Sequence, residues 1–168
     1  MLPDEEGGSM HSMKGRLGSA LVSVATVAAV WAIATPVHAG GGTCHGKVAT
    51  IVGTPRRDQI EGTTGRDVIQ AKAGNDQITG LGGRDLVCGG PGNDHILTGP
   101  GEDKVHGGVG KDTISGGADA DRLWGDRGSD QLAGQSGGDR LLGGPGRDQG
   151  DGGSGVDVCR SVEQPVSC

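Results

Sequence analysis

The chain reads as an all-β solenoid, and three observations predict it. The first is composition: 37 of 168 residues are Gly, with two Trp and no Tyr or Phe. Ordinary domains carry Gly near ~7 %, and a conventional core uses aromatics for their large buried area. A helix bundle, a doubly wound α/β sheet and an immunoglobulin-like sandwich are therefore excluded. The second is a nine-residue period that runs from Gly53 to Arg160 through twelve units without an insertion. The third is the single Ile, Val or Leu that ten of those units carry at the same place. One such unit cannot fold alone, but stacked units bury a continuous column. Net charge is −6, with sixteen Asp against five Glu. That lacks the basic footprint of a nucleic-acid binder and favours turns and oxygen ligands for hard cations.

Residues 1–39 read as an N-terminal extension and secretory leader. Lys14 and Arg16 form a positive start, Leu17–Ala34 is apolar and uncharged, and Pro36 breaks it. Val37-His38-Ala39 offers small residues for cleavage after Ala39. A membrane anchor is the competing reading, but the stretch is near the lower length limit for a span and no basic cluster follows. Met1–Ser12 has the wrong charge for a leader, and Met13 is the better start. The expected location is secreted, or extracellular.

Residues 40–52 are an N-terminal capping segment. Cys44–Val52 fits the register of nine, with Ile51 at the core place and Ala49 where Asp would stand. An exported chain with four cysteines, Cys44, Cys88, Cys159 and Cys168, suggests disulfides. No CxxC pair marks a zinc site. Three connectivities are open. Short spacing favours Cys159–Cys168, which leaves Cys44 with Cys88.

Residues 53–160 are the repeats. Place six is Asp in all twelve: Asp58, Asp67, Asp76, Asp85, Asp94, Asp103, Asp112, Asp121, Asp130, Asp139, Asp148 and Asp157. Place four is Gly in ten, at Gly65, Gly74, Gly83, Gly92, Gly101, Gly110, Gly128, Gly137, Gly146 and Gly155, with Arg56 and Asp119 departing. Place one is Gly except at Ala71 and Thr98. Place eight is aliphatic except at Gly150 and Cys159. Gly at places one and four is expected to permit positive φ and close approach to an ion. Asp supplies a carboxylate and the turn supplies carbonyl oxygens. The residue at place eight points inward from a very short strand, with places seven and nine outward.

These units resemble the RTX (repeat-in-toxin) nonapeptide GGxGxDxUx, a haemolysin-type calcium-binding repeat that builds a parallel β-roll. The resemblance implies about six turns of two units each, with strands alternating between two facing parallel sheets. It implies Ca2+ between loops 18 residues apart. Loops of Asp58, Asp76, Asp94, Asp112, Asp130 and Asp148 then line one edge, and the other six Asp line the opposite edge. Five gaps per edge hold at most about ten ions. A Gly-rich disordered linker is the competing reading of the composition, but strict placement of the aliphatics opposes it. Stacked turns bring Asp near Asp beside a thin core, so the metal-free chain is expected to be largely unfolded.

Residues 161–168 are a non-repeat tail tied by a disulfide, and Gly150 just before it leaves a hole at a core place. The outer faces differ. Odd units present a polar ladder of Gln59, Gln77, His95, Thr113, Gln131 and Gln149. Even units present a partly apolar stripe with Val68, Leu86, Cys88, His106, Trp124 and Leu142. Either the N-terminal segment covers part of this stripe through Cys88, or the stripe is a contact surface for a cell-surface or protein partner.

Catalysis is not expected. Gly134-Gln135-Ser136-Gly137-Gly138 matches G-x-S-x-G but lies in repeat register, without the strand-to-helix context that motif needs. His45, His95 and His106 show no H-E-x-x-H spacing. No segment outside the repeats is long enough for a catalytic domain, and none is seen for an effector. A non-catalytic calcium-binding protein with a structural or extracellular role is the favoured reading. An adhesin or partner-binding module comes second, and an orphan targeting domain of a toxin or exoenzyme third. No outer column carries the regular Thr or Asx array that an ice-binding face needs.

Overall fold

A computed structural model describes residues 42–168. The leader and cleavage site therefore lie outside the described residues. The cap opens with an antiparallel pair, β1 (Thr43–Cys44) and β2 (Lys47–Val48), turned at His45 and Gly46. Both turn residues have positive φ, 45° and 75°, the conformation of a tight two-residue hairpin. β3 (Ile51–Val52) then enters the solenoid.

The repeats form β4 (Gln59–Glu61), β5 (Val68–Gln70), β6 (Gln77–Thr79), β7 (Leu86–Pro91), β8 (His95–Pro100), β9 (Lys104–Val109) and β10 (Thr113–Ala118). They continue as β11 (Arg122–Arg127), β12 (Gln131–Ser136), β13 (Arg140–Leu142), β14 (Gln149–Asp151) and β15 (Val158–Arg160), and the tail adds β16 (Gln164–Val166). Two seven-stranded parallel sheets result, β4-β6-β8-β10-β12-β14-β16 and β3-β5-β7-β9-β11-β13-β15. Successive units alternate between them, and partners such as Ile96 and Ile114 lie 18 residues apart. The expected roll of about six two-unit turns is the observed fold, with no helix among the described residues.

The core is the column that the period predicts. Ile60, Ile69, Ile78, Val87, Ile96, Val105, Ile114, Leu123, Leu132 and Leu141 are buried in one cluster, with Ile51 of the cap at its end. β7 to β12 are six residues long rather than three. Their pairing skips place one and resumes at places two and three, as Gly90↔Gly108 and Pro91↔Val109 show.

Two sequence readings need correction. Place one does not take positive φ. Place two does, from Lys72 onward, and it holds non-Gly residues at Lys72, Leu81, Asp126 and Gln135. Place-one glycine answers instead to crowding: a Cβ on Gly80 would stand 2.8 Å from the Thr98 carbonyl oxygen of the next coil. Nor is Gly150 an open hole. A Cβ there would meet Val162 Cγ1 at 3.0 Å and Leu141 Cδ2 at 3.5 Å, so Val162 of the tail occupies the space. The tail is also more than a tether, since β16 extends the odd-unit sheet by pairing with β14.

Both favoured disulfides form, Cys44–Cys88 and Cys159–Cys168. The first holds the hairpin on the even-unit sheet, where Cys44, Val68 and Leu86 form a small second core with Ala49 and Cys88. The N-terminal segment thus covers the first half of the apolar stripe. The second half stays outside, with Leu142 exposed.

Candidate metal centre

Each repeat turns a corner of the roll between its Asp and its place-one glycine, so the twelve Asp form two rows, one on each edge. Asp67, Asp76, Asp85, Asp94, Asp103, Asp112, Asp121, Asp130, Asp139 and Asp148 are buried. Asp58 and Asp157, at opposite ends, are half-buried. Within a row each carboxylate is a rung. Asp94 Oδ1 accepts from the Asp76 N–H at 2.8 Å, and the Asp94 N–H donates to Asp112 Oδ1 at 2.8 Å. The other edge repeats this from Asp67 N–H to Asp85 Oδ1 and on to Asp157 Oδ1. One oxygen of each inner carboxylate thereby fastens the preceding coil.

The second oxygen has no such use. Oδ2 of Asp76, Asp85, Asp94, Asp103, Asp112, Asp121, Asp130, Asp139 and Asp148 is buried without a hydrogen-bond partner. Buried polar groups are normally paired, and orphaned ones ask for an explanation. Oδ2 of Asp85, Asp94, Asp112, Asp121, Asp130, Asp139 and Asp148 lies beside the place-one glycine of its own unit. A Cβ on Gly80 would stand 2.7 Å from Asp85 Oδ2 as well as 2.8 Å from the Thr98 carbonyl. At place four, a Cβ on Gly74 would stand 2.5 Å from the Arg56 carbonyl oxygen and 2.7 Å from Asp76 Oδ1. The loop glycines are therefore lined by carboxylate and carbonyl oxygens from two successive coils. Gly74, Gly83, Gly92, Gly101, Gly110, Gly128, Gly137, Gly146 and Gly155 have positive φ at place four, and Asp119 adopts 75° in the same role. Gly65 does not.

The first loop on each edge is built differently. Thr54 donates its N–H to Asp58 Oδ2 at 2.5 Å and its hydroxyl to Oδ1 at 2.9 Å. Thr63 donates both groups to Asp67 Oδ2, at 2.7 and 2.9 Å. These two carboxylates are satisfied by protein donors. The signal was present in the sequence, because only the first two units carry Thr at place two.

The electrostatics follow from burial and repetition. Burial pushes Asp112 and Asp121 up to about 7. The N–H of the preceding Asp pulls each down, and carboxylates of neighbouring coils push up again. Asp85, Asp94 and Asp130 rise to about 6 for the same leading reason. Asp76, Asp103 and Asp139 are also raised by burial. Oxygen donors of this kind suit a hard divalent cation, which takes carboxylates and backbone carbonyls together. No three His, Cys, Asp or Glu side chains converge among the described residues, so an ion in these loops draws most of its oxygens from the backbone.

A parallel solenoid with two rows of buried Asp, each row spaced by one coil, defines a β-roll with oxygen-lined edges. The chain belongs to the RTX calcium-binding nonapeptide repeat family. The model of that family matches at residues 52–87, 61–96, 89–123, 97–132 and 124–159. Comparisons with curated proteins and with solved structures returned no match.

Proposed function

We propose that this is a secreted, non-catalytic calcium-binding repeat protein whose roll folds as Ca2+ enters the gaps between stacked loops. The nine orphaned Oδ2 atoms carry the reading. A buried carboxylate with no partner is costly, and nine of them flank a core with a single aliphatic per nine-residue unit. A divalent cation between coils supplies the missing positive charge, while the chain supplies both the carboxylates and the carbonyls. The loops from Asp76 to Asp148 are the favoured sites, with place-four glycines from Gly74 to Gly146 making room. Asp58 and Asp67 serve as closing loops because Thr54 and Thr63 satisfy them.

Secretion is supported by the leader pattern of residues 14–39 and by the pairing of all four cysteines, which suits an oxidising compartment. Extracellular calcium modules work at ~10⁻⁴–10⁻³ M, so such a chain stays unfolded inside the cell and folds outside. Its role is then structural or at the cell surface.

The test is far-ultraviolet circular dichroism of the chain during calcium titration. A coil-like spectrum should become β on adding calcium, return on adding chelator, and respond poorly to magnesium, which demands a tighter octahedral shell. A β spectrum that survives excess chelator at pH 7.5 refutes coupled folding.

A further inference from the structure

The outer face of the even-unit sheet carries an aromatic stack that ends at a groove. His45 of the hairpin stacks on His106 at 3.7 Å, and His106 stacks on Trp124 at 4.4 Å with planes 3° apart. His106 and Trp124 are register partners on β9 and β11, so one face of the indole is covered. The other face looks toward β13, where Leu142 is its partner. There a cavity of about 400 Å³ is lined by Trp124, Leu142, Val158, Arg122, Arg140 and Arg160.

The charge of this groove is out of character for the chain. Net charge is −6, yet three arginines surround one apolar floor. Arg122 and Arg140 are direct cross-strand partners, ~4.8 Å apart by strand spacing, and Lys104 pairs with Arg122 on the other side. Like charges in that position destabilise a sheet. Among the described residues no carboxylate lies within ion-pair distance of these three guanidinium groups, although Arg122 and Arg140 also border a neighbouring cavity lined by Glu102, Asp103 and Asp121.

We propose that this groove binds an acidic glycan, a short stretch of uronate-bearing sugar rings. A ring placed over Leu142 stacks its apolar face on the open side of the indole. Its carboxylate meets the planar fork of a guanidinium, which binds carboxylates through two parallel hydrogen bonds. An acidic peptide of Asp or Glu alone supplies the carboxylates but brings no ring to the indole. Single-stranded nucleic acid uses several stacking side chains along a strand, and one is present here.

The proposal rests on the fold and not on the ions, and circular dichroism with and without chelator separates failed calcium-driven folding from failed glycan binding. The experiment is calorimetric titration of the full chain, in saturating calcium and with its β spectrum verified, using an oligoglucuronate too short to gel with calcium. Trp124→Ala and the double variant R122Q/R140Q should each weaken binding at least about tenfold while the β spectrum stays. Arg57→Gln, on the far edge, should change it by less than about twofold. Absence of binding by the folded chain overturns the proposal. So does an unaffected Trp124→Ala variant. Equal or tighter binding of neutral oligoglucose, oligoglutamate, an oligodeoxynucleotide or anionic lipid vesicles overturns it as well.

Discussion

Leu123 and Trp124 are neighbours in sequence and opposite in environment, so one pair of substitutions tests the register of the whole roll. Leu123 is fully buried, between Val105 and Leu141 in the core column. Trp124 is half-buried on the outer face, stacked on His106. Truncating a buried Leu leaves a cavity, and a hydroxyl without a partner adds to the loss, so Leu123→Ser should cost about 4–6 kcal/mol. Trp124→Ser forfeits one aromatic stack and some surface contact, about 0.5–1.5 kcal/mol. At ~0.05–0.15 kcal/mol per residue, a folded region of this size has roughly 6–19 kcal/mol in all. The first substitution therefore removes a large fraction of stability and the second a small one. Urea unfolding in saturating calcium, followed by circular dichroism, is the suitable assay. With a slope of ~1–3 kcal/mol per molar urea, the two variants should separate by at least about 0.8 M in midpoint. The calcium midpoint is a blunter readout, because a stability change shared among many ions moves each apparent affinity only slightly. If Trp124→Ser proves the more damaging of the two, the assignment of inward and outward places is wrong, and the nine-residue register with it.

Two further outcomes follow from the rows of Asp. The folded-state values of Asp85, Asp94 and Asp130 near 6, and of Asp112 and Asp121 near 7, lie above the usual 3.8 of the unfolded chain. The metal-free roll then binds more protons than the unfolded chain between about pH 4 and 7, so its stability is greatest near the lower limit and is lost as pH rises through 6–7. Chelated protein should therefore gain β signal near pH 5 relative to pH 7.5, and calcium added to that acid-folded roll should release protons into a weak buffer; a flat pH response of the chelated chain counts against this. Replacing Asp94 or Asp103 by Ala should raise the calcium needed for folding several-fold more than replacing Asp157, since a central loop borders a gap on each side and a terminal loop borders one. Equal shifts would mean that the loops act independently.

Most of the fold was legible because each coil must satisfy the same demands. Asp at place six, an aliphatic at place eight and Gly at places one and four recur because every corner turns alike and every unit buries one side chain. The period therefore predicted the core column, and the resemblance to the RTX nonapeptide implied the two sheets and the two edges. The period misread the detail of the corner. Positive φ falls at places two and four, and at place two Lys72, Leu81, Asp126 and Gln135 disguise the requirement, whereas place one needs Gly for clearance from the next coil. Both demands select Gly, so composition alone does not distinguish them. The second oxygen of each Asp was likewise invisible, because it is defined by contacts between coils 18 residues apart.

What a period cannot report is whatever happens once. Val162 fills the space over Gly150 from outside the repeat, Thr54 and Thr63 close the first loops, and His45 reaches across the sheet to His106. Each of these residues breaks the pattern, and each does something the pattern cannot do. Val162 and the two threonines finish the ends of a stack that would otherwise expose a core place or a carboxylate. His45, His106 and Trp124 make one half of one face unlike the other three half-faces. A repeat that binds the same ion at every coil has no means of choosing a partner, since all its coils look alike from outside. Selectivity in such a molecule has to come from aperiodic positions on the faces, and here they converge on Trp124 and the arginines beside it.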